Sequence, residues 1–433
     1  MRTDSPRWYR LRDRLVRTTL VAVVATAGTA VALSGGFQLA EHSARGTGLG
    51  GALVASKGDP TALHLNPASL AFLSGTDFSF GTTVILPEQR FNGVMPDNTE
   101  TRMQAQVLFP PNVYITHSFG RQWGLGVALT VPYAVRTEWN PDWVGKRLAT
   151  KSDLRVAMLT PGFAVRVSDQ LSLGAALNFS FPKILYEQRI PVSVPGDSTR
   201  FPDAYSTHEA GGSFDVGVQV GALYAPSDGV SIGASYRSPV RLRLDNGSVS
   251  YRDIPAAILP QYATGKFSTS IALPSQFHAG AAWQPARWLY AAADVEYSLW
   301  SELSSIEMDY TDPVRSTLLI DQRWQNTVNA RFGLEFNFAS FSLRGGYRVE
   351  QVPIPDRALT PGLPDADAVG YSLGFGYRAA DGLLLDFAYL FLRYQDRVVS
   401  ASGQPYDGTG AGFNGRYTAR TTSIALNVRY SWE

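Results

Sequence analysis

From Thr76 to the C-terminus, apolar residues alternate with small or polar ones at a period of two, almost without pause. In the last run Ile424, Leu426, Val428, Tyr430 and Trp432 share one face, and Ser423, Ala425, Asn427, Arg429 and Ser431 share the other. The same division separates Leu373, Phe375 and Tyr377 from Ser372, Gly374, Gly376 and Arg378, and Phe332, Leu334, Phe336 and Phe338 from Arg331, Gly333, Glu335 and Asn337. Only extended backbone puts alternate side chains on one face, so the chain is β-structured. About fourteen strands are predicted, near 76–88, 104–120, 122–137, 151–168, 170–189, 207–226, 229–246, 264–285, 287–309, 322–339, 341–352, 366–380, 382–398 and 416–432.

A soluble sandwich also alternates, and the links between strands separate the two cases. Every second link is tight: Gly120-Arg121, Ser168-Asp169, Pro226 to Gly229, Pro285-Ala286, Ala339-Ser340 and Ala380 to Gly382. The others are long and polar, around Pro96, Pro141 and Pro195, and across Asn246 to Tyr262, Tyr310 to Leu319, Pro353 to Pro364 and Ser400 to Gly415. Short turns on one side and long loops on the other are the rhythm of an outer-membrane barrel. Charged residues make up 17% of the chain, against roughly 25% in soluble domains. Beyond the N-terminus no apolar run reaches the roughly 18 residues of a spanning helix. A membrane location therefore requires a closed barrel, which satisfies every backbone group in lipid. The net charge of +1 gives no footprint for a nucleic-acid partner.

The N-terminus reads as a secretion signal over residues 1–34. Arg2, Arg7, Arg10, Arg12, Arg14 and Arg17 precede the apolar run Leu20 to Val24, and cleavage after Ala32 or after Ser34 fits the small-x-small rule. Residues 35–75 are different again. They are rich in Gly and small residues, carry neither period, and contain the turn signal Asn66-Pro67-Ala68. About eight strands already suffice for side chains to fill a barrel, so a lumen of this width needs a filling or is an open pore. Residues 35–75 are the segment of sufficient size, read here as an N-terminal hatch, with the barrel over 76–433. An even strand number puts both termini on the periplasmic side.

Two features of the wall stand out. Pro has no N–H for a sheet ladder and is uncommon in central strands. Pro110 and Pro111 fall in the second strand and Pro132 in the third. Counting from the turn at Gly120-Arg121, residue i faces about 241 minus i, which brings Pro132 nearly opposite Phe109 and Pro110. Paired interruptions at one height open a hole in the wall; the bland alternative is a pair of bulges. The lumenal face of the penultimate strand, with Leu384, Ala388, Leu390 and Leu392 beside Asp386, is more apolar than a water-filled pore requires. Such a face binds an apolar substrate or packs on the hatch, as Phe37 and Leu70 of the hatch also would.

The segments Gly36 to Ser56, Asp59 to Leu73, Val131 to Trp139, Leu343 to Asp367 and Tyr371 to Arg378 resemble the FadL family of outer-membrane long-chain fatty acid and hydrocarbon transporters. The resemblance implies an all-β, transmembrane antiparallel barrel of about fourteen strands with a hatch in its lumen. It also implies passive uptake of hydrophobic molecules that leave sideways where the third strand is kinked, in the outer membrane of a Gram-negative bacterium. Leu171 to Lys183 matches the family's fifth strand and places Lys183 where a family Arg meets a ligand carboxylate. Lys lacks the two-pronged fork of Arg. Simple alternation puts Lys183 outward with Leu173 and Phe181, and only a register break at Pro182 turns it inward. The family's second basic ligand falls on Gln325, with Arg323 nearby, which leaves room for an uncharged aromatic or alkane substrate. The candidate ligand residues are thus Lys183, Arg323, Leu384 and Leu390; the hatch motif is Asn66, Pro67, Ala68 and Phe37; the lateral opening is Pro110, Pro111 and Pro132.

The expected partners are a hydrophobic small molecule, outer-membrane lipid and lipopolysaccharide, and the barrel insertion machinery, with the chain acting as a monomer. No cofactor and no metal is expected. An outer-membrane hydrolase would need His beside Ser or Asp, whereas His42, His64, His117, His208 and His278 are scattered and no G-x-S-x-G or H-E-x-x-H occurs. A general diffusion porin would need a charged constriction and no filling. The chain ends Trp432-Glu433, where an aromatic terminus is usual for the family.

Overall fold

A computed structural model describes residues 35–93, 99–196, 202–212, 214–262, 264–311, 317–404 and 412–432. The expected signal peptide, Glu433 and the tips of several long links lie outside the described residues.

The strands are β1 (Thr76–Gly93), β2 (Glu100–Arg102), β3 (Pro111–Phe119), β4 (Trp123–Glu138), β5 (Lys151–Arg166), β6 (Leu171–Ile190) and β7 (Ala204–Gly211). They continue as β8 (Asp215–Ser227), β9 (Val230–Arg237), β10 (Val240–Arg252), β11 (Gly265–Leu273), β12 (Gln276–Ala286), β13 (Leu289–Ser298) and β14 (Ser305–Tyr310). The last are β15 (Leu318–Asp321), β16 (Thr327–Asn337), β17 (Phe341–Glu350), β18 (Ala368–Ala380), β19 (Leu383–Tyr394), β20 (Arg397–Val399) and β21 (Gly415–Trp432). All pair antiparallel, and the sheet closes because β1 pairs β21 from Thr76 opposite Trp432 to Gly93 opposite Gly415. The result is the expected closed barrel of 14 strands.

Several passes expected as single strands are broken in two. β9 gives way to β10 at Ser238-Pro239 and β11 to β12 at Pro274-Ser275. Pro cannot extend either ladder, so the lower parts pair β8–β9–β12–β13 while the upper parts pair β7–β10–β11–β14.

Burial is inverted relative to a soluble sheet. On β21, Leu426, Val428, Tyr430 and Trp432 are exposed while Ser423, Ala425 and Asn427 are buried. On β18, Leu373, Phe375 and Tyr377 face out and Ser372, Gly374 and Gly376 face in. An apolar outer face with a polar inner one suits a wall whose outer solvent is hydrocarbon.

Residues 35–75 hold one short helix, α1 (Ala44–Gly48), and two 3-10 turns, Pro60–His64 and Pro67–Phe72. Each begins on a side-chain cap: Ser43 accepts from Gly46, Asp59 from Thr61 and Asn66 from Ala68, and Pro opens both 3-10 turns where its missing N–H is not needed. Too small to satisfy its own backbone, this segment is bonded by inward side chains from around the barrel. Ala44 N donates to Asn427 on β21 (2.8 Å) and Val54 N to Asp294 on β13 (2.9 Å). Ser172 on β6 donates to the Ala68 carbonyl (2.8 Å), Ser231 on β9 to Ala55 (2.7 Å) and Ser372 on β18 to Gly48 (3.2 Å). Wall glycines allow the approach: a Cβ at Gly346 would lie 2.1 Å from the Gly50 nitrogen, and one at Gly221 2.1 Å from the Asn66 Oδ1. Buried ion pairs complete the inner layer, with Arg344 bonded to Glu335 (2.6 Å) and Asp386 (2.5 Å), and Arg45 to Glu335 (2.9 Å) and Asp59 (2.7 Å).

Candidate functional site at the interrupted strand pair

The β3–β4 ladder runs upward from the turn only as far as Val113 opposite Leu129. The next hydrogen bond between these passes is Gln104 N to the Glu138 carbonyl (2.8 Å). Between them lies a stretch without backbone pairing, hereafter the opening, flanked by residues 105–112 and 130–137. Val113 faces Leu129 and His117 faces Leu125, so residue i faces 242 minus i rather than 241 minus i. The corrected register sets Pro132 level with Pro110.

Each flank is anchored away from the opening. On one side Leu108 and Ile85 exchange backbone hydrogen bonds (3.0 and 2.9 Å), and Thr83 N donates to the Pro110 carbonyl (3.2 Å), fixing this flank to β1. On the other, β4 holds to β5 through a register shift between Thr130 and Tyr133 that contains Pro132. The edge of β4 left free is taken by the N-terminal segment, where Leu39 N donates to the Pro132 carbonyl (2.8 Å) and Ala134 N to the Phe37 carbonyl (2.9 Å). Residues 37–39 thus run as a short extra strand behind the opening.

Behind the opening is a cavity of about 110 Å³. Ile85, Leu108, Leu39, Leu363, Leu392 and Tyr394 contribute its apolar lining. Its polar lining includes Glu41, Arg348, Glu350, Asp365 and Arg136. Arg348 is 2% exposed, donates from Nη2 to Glu41 (2.5 Å) and lies 3.2 Å from Glu350 through Nε. Burial alone would raise the Glu41 carboxyl, yet Arg348 outweighs it and holds the group below the usual carboxylate range. A compartment with apolar walls and a buried fork-shaped cation, Arg348, with Arg136 also in its lining, suits an amphiphile with a carboxylate end.

Beside the cavity, Phe37 sits edge-on to Trp300 (5.1 Å), Trp324 (5.7 Å) and Tyr133 (5.8 Å). These rings join a larger buried apolar cluster with Phe91, Trp139, Trp143, Phe267, Phe413 and Tyr417. Below lies a polar layer that holds three of the histidines: the His42 and His64 rings lie 3.8 Å apart, tilted by 44°, and His278 lies 3.6 Å from Glu296, itself bonded to Arg331 (2.7 Å). Burial and the nearby Arg237 push His42 down to about 3. Among the described residues, no cluster of His, Cys, Asp and Glu has the spacing to hold a metal ion.

The residues singled out in the sequence scatter around this arrangement. Pro110, Pro111 and Pro132 border the opening and Phe37 lies behind it. Asn66 is fully buried and acts as a turn, donating from Nδ2 to Val54 (2.9 Å) and Ala222 (3.1 Å) while capping Ala68. Pro67 and Ala68 pack in that turn against Gly174, where a Cβ would lie 2.5 Å from the backbone of either. The ladder is continuous through Pro182, so Lys183 stays on the outer face, 58% exposed and paired with Glu209 (3.1 Å). Arg323 is exposed as well, paired with Asp321 (3.0 Å). On β19, Leu390 is buried and Leu384 half-buried, and the adjacent Ala388 packs against Ala44. Sequence reading missed Glu41, Arg348 and Glu350. Their signal was available: Arg348 occupies an inward position of β17, where a buried charge requires a partner.

The family profile for outer membrane protein transport proteins (OMPP1/FadL/TodX) matches residues 24–432. The chain belongs to the FadL family. Among its relatives, the long-chain fatty acid transport protein of Escherichia coli (strain CFT073) is 22% identical over 88% of this chain and 91% of its own. Outer membrane protein P1 of Haemophilus influenzae (strain Rd) is 22% identical over 86% of this chain and 88% of its own. A Pseudomonas aeruginosa FadL homologue superposes with a TM-score of 0.80 at 19% identity, covering 92% of this chain and all (100%) of that one. The Pseudomonas putida toluene transporter TodX gives 0.70 at 15% identity, over 93% and 100% of the two chains. The expected family and fold class are thereby established, and with them an outer-membrane protein. The Escherichia coli relative and TodX bear the names of transporters.

Proposed function

We propose that this chain is a passive outer-membrane uptake channel for long-chain hydrophobic molecules, fatty acids foremost. Substrate enters from the long-loop side, passes the aromatic cluster, and leaves through the side opening between β3 and β4 into the membrane. The observation that carries this reading is the loss of the β3–β4 ladder beside a cavity with both apolar and cationic lining. Residues 35–75 act as the hatch that blocks the straight route, with both termini periplasmic. The protein works as a monomer in contact with lipid and lipopolysaccharide after delivery by the insertion machinery, and it performs no catalysis. Names of relatives support the substrate class, a long-chain fatty acid transport protein among them.

Uptake of uncharged aromatic or alkane hydrocarbons is the second reading. It is favoured by Lys183 and Arg323, which stand exposed on acidic neighbours, and by the ring-lined surroundings of Phe37. The test is expression in a host lacking its own fatty acid transporter, with uptake of labelled oleate, hexadecane and toluene measured side by side. A cysteine pair introduced at Pro110 and Pro132 should stop uptake when oxidised and restore it when reduced. Uptake indifferent to that bridge would overturn the lateral route, and large steady single-channel currents would favour a diffusion porin.

A further inference from the structure

The outer wall carries a patch of cations at the long-loop edge of its apolar band. In the β5–β6 ladder Arg155 lies directly opposite Lys183, whose partner on β7 is Gly211, and beyond β7 the next pass, β10, presents Arg241 and Arg243 on the outer face. Arg155, Lys183 and Arg243 are 57%, 58% and 69% exposed, while two of their acids lie deeper, Asp153 at 11% and Asp215 at 7%. Asp153 takes Nε and Nη2 of Arg155 (2.9 and 3.2 Å), and Asp215 takes Nε of Arg243 (2.9 Å). Glu209, 3.1 Å from the Lys183 Nζ, and Asp245 are the exposed acids of the patch. Cationic ends are thus turned outward over carboxylates that are mostly sunk. Like charges directly opposite one another destabilise a sheet, and an anion bridging the Arg155–Lys183 rung removes that cost.

Beneath the cations lies a platform of rings: Phe214 meets Phe179 (5.4 Å) and Phe181 (5.8 Å), and both Phe181 and Phe214 are exposed. On the outer face of β6, exposed Leu173 stands near the tight turn and Lys183 follows Phe181. About ten residues at about 3.3 Å each, tilted by about 40°, climb about 25 Å between Leu173 and Lys183, the height of an apolar band. The cations therefore stand at headgroup level and the rings at the level of acyl chains.

We propose that this patch is a lipopolysaccharide-binding site, in which Arg155, Lys183 and Arg243 hold the phosphates of the lipid A disaccharide and Phe179, Phe181 and Phe214 receive its acyl chains. Guanidinium forks and an ammonium match phosphate oxygens, and clustered cations beside an apolar band are the means by which a wall selects an anionic headgroup. The site rests on the transport reading only in placing the long loops outside the cell, where the phosphate-bearing lipid is this glycolipid. The rung of Arg155 and Lys183 continues to Ala134 of β4, on the flank of the opening. The bound glycolipid is therefore a neighbour of the opening, and Lys183 serves the membrane rather than the transported molecule.

The experiment is native mass spectrometry of the intact barrel, purified from outer membranes into detergent and titrated with deep-rough lipopolysaccharide, the same lipid dephosphorylated, and phosphatidylglycerol. Wild type should bind the phosphorylated glycolipid about tenfold more tightly than either other lipid, and excess inorganic phosphate should not displace it. R155Q/K183Q/R243Q should lose about tenfold or more, its charged hydrogen bonds to phosphate being gone. R416Q/R420Q, which removes exposed cations of β21 outside the patch, should stay within about twofold. K183Q alone leaves Asp153 and Asp215 with their partners, so its loss of about threefold is not a folding defect. Equal loss in R416Q/R420Q, binding indifferent to dephosphorylation, or displacement by inorganic phosphate would overturn the site. A preference for phosphatidylglycerol that disappears in the triple variant would assign the patch to the opposite leaflet and overturn it as well. Oleate uptake is read separately. A barrel that takes up oleate without binding the glycolipid overturns this site and leaves the transport reading standing, and one that binds the glycolipid without taking up oleate does the reverse.

Discussion

The backbone N–H of Leu39 donates to the carbonyl of Pro132 at 2.8 Å, at the height where β3 and β4 part. A strand edge abandoned by its neighbour is thereby occupied by the chain's own N-terminal segment. Unpaired edges are a liability for any sheet, and here the cover is pinned by two backbone bonds and by the buried Phe37 ring among Tyr133, Trp300 and Trp324.

Replacing Pro132 by Val restores a backbone donor at the centre of the opening. Pro132→Val should fold and insert normally, yet take up labelled oleate several-fold more slowly as β4 gains pairing toward β3. Unchanged uptake at equal surface expression would separate the opening from transport.

The two adjacent glycines of β17 make a paired test. A Cβ at Gly345 meets nothing within 4 Å, whereas one at Gly346 falls 2.1 Å from the Gly50 nitrogen. Gly345→Ala should be near neutral, and Gly346→Ala should destabilise by about 1–3 kcal/mol as an overpacked contact. Thermal unfolding followed by electrophoretic mobility shift reads both.

Asn66→Ala removes the cap on Ala68 and the two bonds to the Val54 and Ala222 carbonyls. The buried Val54 carbonyl and the partly buried Ala222 carbonyl lose their partner, a loss of about 1–3 kcal/mol for the first and less for the second. Amide exchange should accelerate across residues 59–72 while the barrel ladders stay protected. Equal acceleration in the barrel would show that the segment and the wall unfold as one.

Acid should loosen the same segment. His42 is pushed down to about 3 by burial and Arg237, and His64 falls below its ordinary 6.5 by burial and the neighbouring His42. A folded value below the unfolded one means that the unfolded chain binds the extra proton. The stabilising contribution is therefore intact above about pH 6.5 and is lost progressively as pH falls toward 3. Limited proteolysis of residues 35–75 should rise between pH 7 and 4, and the double change His42→Gln with His64→Gln should flatten that rise.

Much of the barrel was legible because alternation and link length are local properties. The faces of β16, β18 and β21 follow directly from side chains two apart. The broken passes were not legible: Pro239 and Pro274 fall inside the expected strands 229–246 and 264–285, and the break shows only where the upper and lower ladders choose different neighbours. The prolines around the opening were legible as missing donors, but a one-residue error in register hid that Pro110 and Pro132 are level. Lys183 drew attention through its likeness to a family position, whereas its outward direction was already written in the alternation with Phe181. Arg348 was legible as an inward charge in need of a partner, but its partner Glu41 lies 307 residues away in the chain, and no local pattern announces that contact.

The seam joining Thr76–Gly93 to Gly415–Trp432 closes the ring between the first strand of the barrel and the last. Asn427 on that last strand also holds Ala44 of the N-terminal segment. One strand thus serves both the closure of the cylinder and the retention of what it encloses, so a slip at the seam would loosen the contents together with the wall.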